Sequence, residues 1–365
     1  MAIPSNVPSH TLVVKLKWIA AFAVCVAVQA EDITPRVGYI EIYGARKSSE
    51  KKIRSALGVS PGGVLPVPRD SLEARLTKVP GVVDSRVQAV CCDGNQLVLY
   101  VGVEEKNTPH FEVHPTPASA IVLPQDVVDA YHAFLDAVST SMQSGKADED
   151  LTNGYSLMAD ANCRDRQTAF LAMAARDLPL LDQVVRSSSD PEQRSIAAYV
   201  LQYGPRGPHT TQTIVNALQY ALQDPDSDVR GNAMRALKAV AVGGRLHRDQ
   251  RIRIEPTWFV ELMNSLNWSD RRNASLALVD LTERRNPAWL EIVRGRALTS
   301  VVEMARWHDL QHALPGFILA GRLAGLNEKQ IQDAWVNGDR EAVIEKALKS
   351  GKDHRSSELL TSRLN

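Results

Sequence analysis

The stretch Pro225–Val242, PDSDVRGNAMRALKAVAV, decides how this chain folds. Asp226 or Ser227 can accept hydrogen bonds from the free amides of a first helical turn, and Asp228 adds negative charge at the positive end of that helix. The apolar residues that follow recur with the 3.6-residue helical period, at Ala233, Ala236, Leu237 and Val240. This narrow, alanine-rich face buries little area, so the helix needs partner helices on more than one side.

The pattern Arg-x-x-Ala-x-x-(Ala/Val)-Leu occurs three times, with arginines 36 and 41 residues apart. A period of this length is typical of stacked helical pairs. The pattern resembles the HEAT-repeat (armadillo-like α-solenoid) family over about residues 160–325, and the resemblance implies a solenoid of four or five helical pairs. We expect the repeated charged residues to form structural ion pairs within one unit or with the next one. These residues are Arg194, Arg230, Arg271, Asp190, Asp228 and Asp270.

Residues 37–106 have a different character, because runs of alternating apolar and polar residues surround two short helical patterns. The predicted order is strand, helix, helix, strand, strand. With Ile40–Gly44, Leu76–Val82 and Leu97–Glu104, this segment resembles a POTRA domain. The resemblance implies polypeptide binding by addition of a strand to a sheet edge. The alternative is that the sheet only spaces or docks the helical array.

The predicted fold class is therefore multidomain, with a small α+β domain (β-α-α-β-β) followed by an all-α HEAT-like solenoid. We expect the linker between them to set the joint reach of the two domains. The predicted parts are a signal peptide at 1–30, the POTRA-like domain at 31–107, a proline-rich linker at 108–124, a capping helix and polar connector at 125–150, the solenoid at 151–349 and a tail at 350–365.

Residues 1–30 have the pattern of an export signal. Lys15 and Lys17 precede the apolar run Trp18–Val28, and Ala30 ends a sequence of small residues suited to cleavage. The run is short for a membrane span. We expect cleavage near Ala30 and a periplasmic or secreted protein, and the alternative is an uncleaved membrane anchor.

The overall charge excludes a general attraction to nucleic acid or to an anionic membrane. The chain has 42 Lys plus Arg and 42 Asp plus Glu, so its formal net charge is zero.

The cysteines lack the paired spacing of a zinc site. For Cys91, Cys92 and Cys163, a bridge between one of the adjacent pair and Cys163 and a set of buried free thiols both remain open.

The segment 243–256 is longer than a repeat connection requires and is rich in arginine. It predicts either a basic protrusion that binds an acidic partner or a phosphate, or a solvated loop. The tryptophans near this segment have two interpretations. They either line a binding surface, where aromatic side chains contribute much of the binding energy, or fill the core between helical pairs. The candidate partner-binding residues are Arg245, Arg248, Arg251, Arg253, Trp258 and Trp268.

His308 and His312 lie four residues apart, with Asp309 between them. If this segment is helical, the two imidazoles lie one turn apart on one face and suit a divalent metal, which gives an alternative function as a metal-dependent hydrolase or a HEAT-type lyase. The other interpretation is two structural histidines. Since no catalytic constellation accompanies them, we predict no metal, no cofactor and a non-catalytic scaffold of the bacterial cell envelope that binds a polypeptide partner.

Overall fold

The computed structural model describes residues 36–66, 68–93, 96–145, 148–207, 209–247 and 252–362. The predicted signal peptide therefore lies outside the described residues. Among the helices within these ranges, none combines the length and the apolar character that a membrane span requires.

The N-terminal domain is a three-stranded sheet with two helices, and its chain order confirms the predicted order of strands and helices. Its elements are β1 (Arg36–Tyr43), α1 (Glu50–Leu57), α2 (Asp70–Leu76), β2 (Val82–Asp93) and β3 (Gln96–Glu105). The spatial order is β1-β3-β2, in which β3 lies parallel to β1 and antiparallel to β2. The chain thus makes a helical crossover from one sheet edge to the other before it returns through the centre.

Both faces of this sheet are covered. Leu99 and Val101 of β3 point to the face that packs on α1 and α2. Val98 and Tyr100 point to the other face and belong to the core of the helical array. Every residue from Val98 to Val103 is consequently buried, as is typical of a strand covered on both sides.

After β3, the regular elements of the described residues are helices and one hairpin of two short strands, β4 (Glu149–Asp150) and β5 (Leu157–Met158), that the sequence pattern does not predict. The helices are α3 (Gln125–Gln143), α4 (Ala161–Ser187), α5 (Pro191–Leu201), α6 (Thr210–Ala221), α7 (Ser227–Leu246), α8 (Thr257–Leu262), α9 (Trp268–Leu281), α10 (Pro287–Ala305), α11 (Leu310–Leu323), α12 (Glu328–Asn337) and α13 (Arg340–Ser362).

Four helical pairs are stacked along the chain: α4 with α5, α6 with α7, α8 with α9, and α10 with α11. The second helices α5, α7, α9 and α11 pack side by side in one row, which we call the second-helix row. Asp177 has non-helical backbone angles, so α4 consists of two helices joined at a kink before Pro179. Because α13 packs on both α10 and α11, it closes the array, and it continues to Ser362 through the segment predicted to be a tail.

Helix α7 continues past the predicted end at Val242 to Leu246. Gly243 and Gly244 are buried and make close packing possible. A side chain at position 243 would meet the backbone of Gly154, and a Cβ at position 244 would lie 2.5 Å from Cδ1 of Ile252. The two glycines therefore let other segments pack on the end of α7. The expected helix end at Val242 lies directly before them.

The proline-rich linker lies against the turns between first and second helices. The amide of His114 donates to Gln223 O at 2.7 Å, and its ring stacks on Tyr220 at 4.3 Å between centroids. Further along, Ser119 pairs in parallel with Ser188. The linker thus fixes the sheet domain to the array, whereas from the sequence we expected it to set the joint reach of the two domains.

Candidate functional site

The repeat arginines form a ladder of buried ion pairs along the turns between first and second helices. Arg194 binds Asp224 through two hydrogen bonds of 2.7 and 2.8 Å, and Arg230 binds Asp270 with a shortest distance of 2.7 Å. Arg271 binds Glu303 at 3.0 Å. The three arginines are at most 2% exposed. Each pair joins one unit to the next, and the two-armed contacts of Arg194 and Arg230 also fix the orientation of the guanidinium group.

Each ladder arginine also donates to the carbonyl oxygen six residues before it in the chain. The acceptors are Ser188 O, Asp224 O and Ser265 O, at 2.7 to 2.8 Å. This contact satisfies a carbonyl at the turn that leads into the second helix, and it is the same in all three units. The hydrogen bonds to Asp224 raise the pKa of Arg194 above its ordinary value.

The sequence predicted the ladder arginines correctly but assigned the wrong acidic partner in two units. Asp190 caps α5 by accepting from Glu192 N, and Asp228 is an exposed residue in the first turn of α7. Of the three predicted aspartates, Asp270 alone binds a ladder arginine. Asp224 and Glu303, which the pattern did not single out, supply the other carboxylates.

The N-terminal domain and the linker cover this ladder. The ring of Tyr43 lies 4.3 Å from the guanidinium of Arg271, and that of Phe111 lies 5.8 Å from the guanidinium of Arg230. Arg46 adds a further rung, because its Nη1 binds Oε1 of Glu303 at 2.7 Å. The edge of the array that carries the ladder is therefore occupied by the chain itself.

His308 and His312 do not form the metal pair of the alternative interpretation. His308 precedes α11, where Asp309 is the N-cap, so the helical spacing that the metal hypothesis requires does not occur. His308 donates from its backbone and ring nitrogens to Glu41 of β1 at 2.6 and 2.8 Å. Nδ1 of His312 lies 2.6 Å from the hydroxyl of Tyr100. Both histidines therefore bind the sheet.

Burial sets the protonation states of His312 and Tyr100, which contact each other. It lowers the pKa of His312 to about 4, with Asp309 opposing the shift and Arg272 adding to it. Burial also raises the pKa of Tyr100 above its ordinary value. At neutral pH the Tyr100–His312 contact is thus one between two uncharged groups, which suits its position under the sheet.

The candidate tryptophans face the protein interior. Trp268 stacks on Tyr100 at 5.0 Å between centroids, and its amide donates to Gln88 of β2 at 2.6 Å. Trp258 is half-buried against the core of the array. Trp268 is therefore a contact between the sheet and the array rather than a free surface for a partner, and the core interpretation applies to Trp258.

The basic segment forms one wall of an open cleft of about 750 Å³ on the opposite edge of the array. Half-buried Ile252, Ile254 and Trp289 form an apolar part of its lining, which we call the floor. The lining residues are Ala241, Gly244, Arg245, Ile252, Arg253, Ile254, Glu255, Leu281, Arg284 and Trp289. Two of the four predicted arginines belong to this lining, whereas Arg248 and Arg251 lie outside the described residues.

The arginines of the cleft differ in how they are bound. Arg245 binds Glu283 at 2.6 Å and donates to Asp280 O, so it is held within the array. Arg253 and Arg284 are exposed and contact no acidic residue in the part of the chain that the structure describes. The cleft therefore presents an apolar floor under two available guanidinium groups.

The described residues show no group of three or more His, Cys, Asp or Glu side chains placed to hold a metal ion. Cys91 is disulfide-bonded and Cys163 is a buried free thiol, which excludes a bridge between the two. Burial raises the pKa of the Cys163 thiol above its ordinary value.

The sequence is not matched by any protein-family model or by any curated protein. Solved structures similar to this chain include two designed armadillo repeat proteins. The protein YIII(Dq)4CqI is 16% identical, with a TM-score of 0.33 and coverage of 53% of this chain and 92% of its own. The protein YIII(Dq.V1)4CPAF, in complex with the peptide (KR)4, is 14% identical, with a TM-score of 0.35 and coverage of 63% and 99%. The assignment of stacked helical pairs rests on the packing described above.

Proposed function

We propose that this protein is a non-catalytic scaffold that binds a polypeptide segment in the 750 Å³ cleft between α7, residues 252–255 and the start of α10. The observation that carries the proposal is that apolar Ile252, Ile254 and Trp289 share the cleft lining with Arg253 and Arg284, which form no ion pair with another described residue. An apolar side chain can fill the floor while flanking carboxylates bind the guanidinium groups. The expected ligand is therefore an acidic segment that carries a bulky apolar residue.

Two hydrogen bonds along the free edge of β2 make this edge a less suitable binding site than the cleft. The amides of Val87 and Ser85 on β2 already donate to the carboxylates of Glu73 and Asp84, each at 2.7 Å. A strand added along this part of β2 must displace both carboxylates, which is how natural sheets protect their edges. POTRA-type strand addition therefore remains a second, less favoured proposal.

The non-catalytic proposal is supported by the use of His308 and His312 as contacts to the sheet, since this leaves the enzymatic alternative without the paired ligands on which it was based. A HEAT-type lyase using the same region would require one of these contacts to break. We keep the enzyme as an alternative to be tested by metal analysis of the purified protein, in which a stoichiometric metal lost on His312→Ala would support it.

Charge reversal in the cleft is expected to weaken peptide binding. Residues 31–365 are used to select binders from a random dodecapeptide display library, and enriched peptides should combine Asp or Glu with an aromatic or aliphatic residue. Arg253→Glu with Arg284→Glu should weaken the binding of these peptides at least tenfold, because attractive charged hydrogen bonds become repulsive contacts.

The control variant carries Lys346→Glu and Lys349→Glu on exposed positions of α13 and has the same change in net charge. It should bind the selected peptides as the unchanged protein does. Equal loss in both variants would indicate a general charge effect, and unchanged binding in the cleft variant would refute the cleft as the site.

We further propose that the protein acts in the bacterial cell envelope after export. The support is the pattern of residues 1–30, which ends in Ala30 ahead of the acidic residue Glu31. The intact mass of the protein recovered from the periplasm or the medium of a double-membraned bacterium should correspond to a chain that begins at Glu31. A cytoplasmic protein that retains residues 1–30 would contradict export.

A further inference from the structure

Two arginines on the second-helix row lie beside the same furrow between α7 and α9. Gly231 packs against Asn273, and Lys238 binds Asp280 at 2.9 Å. The second contact lies seven residues after the first on α7 and also on α9. The two helices therefore run parallel in a fixed register. Arg235 follows Gly231 by one turn, and Arg272 adjoins Asn273. Their Cα atoms are therefore offset by about five residues, or about 7.5 Å, along the helix axes.

The furrow is bordered on both sides by parts of the N-terminal region. On the α3 side, Asn232 of α7 donates to the hydroxyl of Tyr131 at 3.1 Å. On the sheet side, the guanidinium of Arg272 lies 5.8 Å from the centroid of Trp268, which is bound to β2. Arg235 is exposed and Arg272 is half-buried. The borders thus leave a site that is open to solvent and only partly hydrated.

The charges around these arginines do not compensate them. Within the described residues, neither Arg235 nor Arg272 is hydrogen-bonded to a carboxylate, in contrast to the buried ladder arginines. Burial lowers the pKa of Arg272, and the positive charge of Arg235 lowers it further, against the opposing influence of Tyr100 and Asp309. The carboxylate of Asp309 already accepts from His312 N. Holding two like charges beside each other in a partly desolvated site costs folding free energy.

We propose that Arg235 and Arg272 together bind a carboxylate of an acidic residue in a partner polypeptide, at a site separate from the 750 Å³ cleft. Two guanidinium groups close enough for one to lower the pKa of the other can share the two oxygens of one carboxylate. A nucleic acid fits less well, because Trp268 already stacks on Tyr100 and is covered by Arg272 and offers no free ring face to a base. The chain's zero net charge supports the same choice.

The test uses a fluorescein-labelled hexaglutamate peptide, titrated by anisotropy against residues 31–365. Arg235→Ser and Arg272→Met should each weaken binding at least tenfold. Arg235 is exposed, so its replacement should leave the fold intact, which circular dichroism and the midpoint of denaturation would verify. The matched control, Lys346→Ser with Lys349→Met on exposed positions of α13, removes two positive charges outside both proposed sites and should leave hexaglutamate binding unchanged.

Four outcomes would overturn the proposal. The first is failure of hexaglutamate to bind the unchanged protein, and the second is equally tight binding by the unchanged protein and by the Arg235→Ser and Arg272→Met variants. Loss of binding in Arg253→Ser with Arg284→Met, with binding retained in Arg235→Ser and Arg272→Met, would place the carboxylate site in the cleft. Tighter, Arg235-dependent binding of a thymidine oligonucleotide would replace the polypeptide with a nucleic acid as the ligand.

Discussion

Replacing Asp270 by alanine is expected to destabilise the protein by about 3–5 kcal/mol, the usual cost of leaving one member of a buried ion pair without its partner. Asp270 accepts from both arms of Arg230 and from the hydroxyl of Ser265. Arg230 is 2% exposed, so water cannot replace the lost carboxylate without disturbing the stack. Denaturant unfolding followed by tryptophan fluorescence measures the change.

Asp228→Ala is the matched control, because the repeat pattern assigns Asp228 and Asp270 the same role. Asp228 is exposed in the first turn of α7, where a carboxylate interacts with the helix dipole. Its replacement should cost less than about 1 kcal/mol. Similar losses for the two variants would show that the buried ladder does not hold the units together as described.

Gly102→Val is expected to detach the sheet from the helical array and to cost about 3 kcal/mol, at the upper end for overpacking of a close contact. Gly102 lies on the face of β3 that meets the array. A Cβ there would lie 2.7 Å from the ring of Tyr43 and would also collide with the carbonyl oxygen of Leu266. That carbonyl accepts from the Tyr43 hydroxyl at 2.6 Å, so the substitution opposes the contact at its centre.

Hydrogen exchange gives a local measurement of this detachment. The amide of Trp268 donates to Gln88 across the interface and should exchange faster in Gly102→Val, while amides inside α5 keep their protection. Gly295→Ala in α10 is the control, because nothing lies within 4 Å of a Cβ at that position. It should be neutral or slightly stabilising. Unchanged exchange at Trp268 in Gly102→Val would falsify the close docking of the sheet.

Local rules were sufficient to predict most of the helices and the order of the N-terminal domain. The start of α7 follows from Asp226, whose side chain accepts from the amides of Asp228 and Val229. The same local logic missed the end of α7, since Gly243 and Gly244 serve packing against Gly154 and Ile252. A glycine's type does not reveal whether it ends a helix or admits a neighbouring segment.

The candidate sites were predicted less well, because they depend on residues far apart in the chain. Trp268 and His312 were singled out for their chemistry, but their partners Gln88 and Tyr100 come from the sheet about 200 residues earlier. The continuous apolar sequence of β3 indicated that both faces of the sheet are buried, so another part of the chain besides α1 and α2 has to pack on it. The sequence alone did not identify that cover.

What the sequence determined by itself is the repeating unit: an N-cap, a narrow alanine-rich face and an arginine at a fixed place recur because every helical pair meets the same local requirement. The tertiary structure decided which carboxylate meets each arginine and which surfaces stay open. Asp224 and Glu303 became partners through the stacking of neighbouring units. The linker and sheet then covered the ladder edge, and Arg253 and Arg272 form no ion pair with another described residue. Such pairings depend on distances in space, and a local pattern carries no information about them.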